Sequence, residues 1–126
     1  MNTEIVVTEV EANISQEQSR VAGAVCHLDL QRQKLYKAEA IGQQLQQDAS
    51  AIAKELNGQL FLLETDRVVT LLTRRTAIEL QLNSFTAERA LLKYQVREAE
   101  GELADALRKL EEAERAAAAQ ACSAAQ

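Results

Sequence analysis

Asn57-Gly58-Gln59-Leu60-Phe61-Leu62-Leu63-Glu64-Thr65-Asp66-Arg67-Val68-Val69-Thr70-Leu71-Leu72-Thr73-Arg74-Arg75 is the stretch that decides how this chain folds. Two short apolar runs, 60–63 and 68–72, flank the polar Glu64-Thr65-Asp66-Arg67, and a long amphipathic segment of similar length lies on either side. That symmetry marks a turning point. The β-branched pair Val68-Val69, the bulky Phe61 and the preceding Asn-Gly suit a β-hairpin at the bend. No Gly or Asn inside the polar segment supplies a positive φ, so its loop would be a wider one built on a type I turn. Unbroken helix is the alternative, because short apolar runs are not assigned by period alone.

Working outward, both flanks carry a heptad. In 14–57, Ile14, Val21, Leu28, Leu35, Ala49 and Leu56 hold one seam position, and Ala24, Ala38, Leu45 and Ile52 the other. Glu17, Gln31 and Gly42 interrupt it. In 75–118, Leu82, Val96, Leu103, Leu110 and Ala117 share one position with an intruding Arg89, and Ile78, Phe85, Leu92, Ala99, Ala106 and Ala113 hold the other. Apolar residues recurring three and four apart define two amphipathic helices that zip along a seam. Ser15, with Gln18 three residues on, suits the start of the first helix, and Asn57-Gly58 its stop. Residues 1–13, with the β-branched run around Ile5 and Val10, read as a leader that could form a strand; 58–74 is the tip, and the Ala-rich 119–126 is expected to be a disordered tail.

The fold expected is mainly α: an antiparallel two-helix coiled-coil hairpin with a short β-hairpin at its tip. In an antiparallel pair the numbers of facing residues add to a constant. A total of 134 sets large against small throughout, with Ala49 by Phe85, Gly42 by Leu92 and Leu28 by Ala106, as close packing favours. A total of 127 would place Leu45 on Leu82 and Leu35 on Leu92, which is less regular. In the first register Arg89 faces Leu45, and its guanidinium is expected to reach outward to water or to a carboxylate such as Asp48.

Composition narrows the function. At 126 residues, with 26% charged residues, 3% aromatics and no Pro, the chain suits one domain of long helices. A net charge of −5 argues against nucleic acid as a partner. No apolar run approaches a membrane span and the N-terminus lacks a basic leader, so a cytoplasmic protein is expected. Cys26 and Cys122 show no metal or redox spacing, and His27 is the sole histidine. No cofactor, metal or catalytic residue is expected, and an enzyme is disfavoured.

The tip residues Leu60, Phe61, Leu62, Leu63, Val68, Val69, Leu71 and Leu72 are too many for one face of a two-stranded ribbon, and such a ribbon alone is marginal in water. They are therefore the expected interface with a protein partner, in a homo- or hetero-oligomer. The plan of long helix, β-hairpin and return helix over 14–117 resembles the β-type subunits of prefoldin, a resemblance of architecture without a shared residue motif. It implies an oligomeric chaperone that holds unfolded clients at its helix ends. A hairpin with a helical tip would instead resemble the stalk proteins of type III export ATPases, or an assembly factor of a virion or secretion apparatus. An acidic inhibitor is a third alternative. The general expectation is a non-enzymatic interaction and assembly protein.

Overall fold

The computed structural model describes residues 2–59 and 64–125, with side chains for 9–58 and 64–123. It consists of two helices packed against each other as a hairpin: α1 (Asn2–Gln59, 58 residues) and α2 (Thr65–Ala125, 61 residues). Among the described residues there is no strand.

The β-hairpin is therefore corrected for its second arm. Val68, Val69, Thr70, Leu71 and Leu72 are helical, while Leu60, Phe61, Leu62 and Leu63 lie outside the described residues. The polar segment read as a hairpin loop is the start of α2. The Val68 amide donates to the Glu64 carbonyl at 3.1 Å, closing the first turn, and Asp66 places a carboxylate where the helix's free N–H groups favour one. Strand preference lost because β-branched residues lose only a few tenths of a kcal/mol in a helix. The threonines are further accommodated by donating their hydroxyls to the carbonyls four residues back: Thr70 to Asp66, Thr73 to Val69 and Thr76 to Leu72, at 2.8 to 3.0 Å. Burial of Leu71 in the seam completes the override; it is 1% exposed.

The helix ends also lie further out than the sequence signals placed them. α1 runs through Ser15 from Asn2, and through Asn57-Gly58 to Gln59, with no residue in positive φ. α2 continues through the alanine-rich tail to Ala125, where Ala is the best helix former. Once a helix exists, adding a residue is cheap compared with starting one, and single cap signals do not stop it.

Contacts divide the chain into two units, one of Met1–Arg32 with Gln95–Gln126 and one of Gln33–Tyr94. In the second unit the core is Ile52, Leu56, Leu71 and Ile78, with Leu45, Ala49 and Leu82 packed on it. The seat of Phe85 on Gly42 sets the register: their numbers add to 127, and the same count pairs the core residues as Leu56 with Leu71, Ala49 with Ile78 and Leu45 with Leu82. The register adding to 134 is thereby corrected. Half of 134 is 67, which would centre the turn inside α2, whereas half of 127 falls in the gap between Gln59 and Thr65. In the first unit the buried apolar residues are Leu28 on α1 and Val96, Ala99, Ala106 and Ala113 on α2. The same count sets Leu28 against Ala99 and Val21 against Ala106, large facing small.

Candidate interaction surface

Burial sorts the apolar residues into a seam and an outside. Of the expected seam residues, Leu28, Ile52, Ile78 and Val96 are buried, and Leu35, Leu45, Leu82, Phe85, Leu92, Leu103 and Leu110 are half-buried. A two-helix seam covers each side chain from one side only, so partial burial is what this geometry allows. Gly42 is buried because the Phe85 ring occupies the space a Cβ would take, so it admits Phe85 and not Leu92.

Three polar residues in the seam behave differently. Arg89 reaches out and pairs with Glu39, Nε to Oε1 at 3.4 Å, instead of with Asp48, whose Oδ1 accepts from Gln44 at 3.0 Å. The register change explains the partner: Arg89 now stands opposite the small Ala38, beside Glu39. Glu17 and Gln31 are each 8% exposed. Glu17 takes a 3.3 Å contact from Arg20 on one carboxylate oxygen, while its Oε2 and the Oε1 of Gln31 are buried without a hydrogen bond among the described residues. Buried oxygens of this kind weaken the seam, since an unmade hydrogen bond costs about 1–3 kcal/mol.

Two ion pairs and one His–Glu contact line the edges of the units. Arg32 meets Glu100 at 3.6 Å and His27 Nε2 lies 4.0 Å from Glu102 in the first; Arg67 donates from Nε and Nη2 to Oε1 of Glu55, at 3.2 and 2.9 Å, in the second. All are at least one-third exposed, so each adds only about 0–1 kcal/mol, and they favour the antiparallel alignment more than they stabilise it.

The expected tip residues part company. Leu71 is buried in the hairpin's own core; Val68 is half-buried; Val69 (57% exposed) and Leu72 remain at the surface beside the bend. A further surface is one that heptad reading of the seam alone passed over. Leu80, Leu91 and Tyr94 are 66%, 56% and 58% exposed on the side of α2 turned away from α1. Reading the outward heptad positions as carefully as the inward ones would have found them.

The remaining concavities are open and shallow. One in the first unit, about 390 Å³, is lined by Arg20, Gly23, Ala24, His27, Glu102 and Lys109 among others, and one in the second, about 300 Å³, by Ala38, Ile41, Leu45, Ser84 and Phe85 among others. Among the described residues no group of three or more His, Cys, Asp or Glu could hold a metal, both cysteines are exposed thiols, and no helix is long and apolar enough to cross a membrane.

No family model, no curated protein and no solved structure is similar to the chain at a significant level.

Proposed function

We propose that this chain is a non-enzymatic coiled-coil interaction protein of the cytoplasm, which assembles with other protein subunits through the apolar residues around its bend. One observation carries the reading: next to the bend, Val69 and Leu72 stay exposed although a seam, with Leu71 buried at its bend end, is available to bury apolar residues. Hydrophobic side chains left over by a finished seam are what a partner would cover.

Of the more specific readings, the helical start of α2 favours the stalk-like one. The resemblance to prefoldin subunits rests on a strand pair, and Val68 to Leu72 supply none. A hairpin helical on both sides of its bend instead supports an accessory component of an export ATPase or a similar secretion or virion assembly. An acidic inhibitor is less well supported, because acids alternate with bases, as in Arg108 with Asp105 and Arg115 with Glu111, and leave no bare acidic stripe.

The test is size-exclusion chromatography with light scattering on the full chain and on Phe61→Asp/Leu72→Asp. The wild type should exceed 13.9 kDa and the variant should lose mass while keeping its helical signal. Equal masses would reject the bend as an assembly surface. Suppression of aggregation of a denatured client, and capture of an export ATPase, separate the holdase from the stalk.

A further inference from the structure

The helix α2 carries a second seam on its back. In residues 69–94 the twelve positions that point away from α1 hold no charged residue, over a length of about 38 Å at 1.5 Å per residue. A solvated helix face normally carries its charges there. Beyond residue 96 the same heptad positions do so, with Arg97, Glu98, Asp105, Arg108, Glu111 and Glu112. The threonines of the uncharged face, Thr70, Thr73 and Thr76, turn their hydroxyls onto the helix's own carbonyls, which leaves their methyl groups outward.

Within this face Ala77, Leu80, Ser84, Ala87, Leu91 and Tyr94 follow one another at alternating steps of three and four, the spacing of a coiled-coil seam, and all are exposed. They lie almost diametrically opposite the seam that holds α1. We infer that this stripe is a self-association surface, on which α2 of a second copy of the chain packs antiparallel.

Two features select a second copy over an unrelated helix. A face with no charge suits its own copy, whereas a charged face would select a partner of opposite sign. The stripe is also self-complementary. When facing numbers add to 171, Leu80 meets Leu91 of the second copy at both ends, Ala77 makes room for its Tyr94, and the small Ser84 and Ala87 meet at the two-fold axis, where the backbones come nearest. In this register the uncharged faces overlap over residues 77–94 of both copies, about 26 Å by one helix width of about 10 Å, which covers roughly 500 Å² across both copies, the size of a weak, transient contact. The dimer is accordingly weak, and Glu88 of each copy, flanking the axis, weakens it further.

This surface is independent of the bend, and the experiment separates them. Sedimentation equilibrium is run on the bend variant Phe61→Asp/Leu72→Asp, alone and with Leu80→Glu/Leu91→Glu added. Both leucines are more than half exposed and lie off the hairpin seam, so melting should be unchanged. The expected result is a mass rising from 13.9 kDa toward twice that value up to about 500 µM, and no rise when the two glutamates are present. A spin label on Thr73→Cys, with Cys26→Ser and Cys122→Ser, should give a distance between copies of about 38 Å, from the 25 residues separating the sites at 1.5 Å each. A monomer at 500 µM, meaning that the face serves another protein or none, would overturn the inference. So would dimerisation that survives the glutamates, or a label distance of about 10 Å, the spacing of parallel helices.

Discussion

Replacing Gly42 by alanine should destabilise the hairpin, against the usual effect of that change. In an open helix Gly→Ala stabilises by about 1 kcal/mol, because alanine loses less backbone freedom. At Gly42 the added Cβ would be driven into three carbons of the Phe85 ring. The ring borders an open groove with Ile41 and Ser84, so it can swing out instead of forcing the helices apart. That escape limits the loss to the lower part of the ~1–3 kcal/mol that overpacking costs, plus the ring's own lost burial. Subtracting the propensity gain leaves a net destabilisation of about 1 kcal/mol. With Phe85→Ala already in place the clash is absent, and Gly42→Ala should stabilise by up to about 1 kcal/mol, giving a coupling of about 2 kcal/mol between the two positions. Urea unfolding followed by helical signal, at low protein concentration, measures all four forms. An equal stabilisation in both backgrounds would refute the seating of Phe85 on Gly42. Coupling to Leu92→Ala in its place would restore the register adding to 134.

Gly101→Ala provides the control, since nothing lies near the position a Cβ would take, and it should raise stability by about 1 kcal/mol in the same assay. Leu71→Ala should cost about 2–5 kcal/mol, because a side chain 1% exposed leaves a cavity at the centre of the core, whereas Val69→Ala should stay within about 0.5 kcal/mol; thermal melts of both variants check the contrast. Gln31→Leu should stabilise by about 1–2 kcal/mol, since it removes a buried oxygen without a hydrogen bond at a position facing Val96, and a lower urea midpoint would mean that the amide has a partner.

Much of the fold was legible in the residues themselves. The two seams follow from period, and Leu28, Ile52, Leu56, Ile78, Val96, Ala99 and Ala106 are buried where the heptad places them. The outlying Glu17, Gln31 and Gly42 also sit in the seam, buried in spite of their chemistry. The conformation of 68–72 was not legible, because Val and Thr differ from good helix formers by less than the burial of one leucine contributes. Of the candidate interface, Val69 and Leu72 are at the surface and Leu71 is in the seam. The outward stripe around Leu80 and Leu91 was hidden by attention to inward positions alone.

Period by itself established two amphipathic segments and which face of each is apolar; their folding back on each other about a central bend was an expectation from their matched lengths. Only the tertiary structure decided the register and the state of the bend. A heptad pattern shifted by seven residues superimposes on itself, so patterning leaves 127 and 134 nearly equivalent. The start of α2 at Thr65 and the fit of one phenyl ring over one glycine remove that degeneracy, and both are properties of the folded pair.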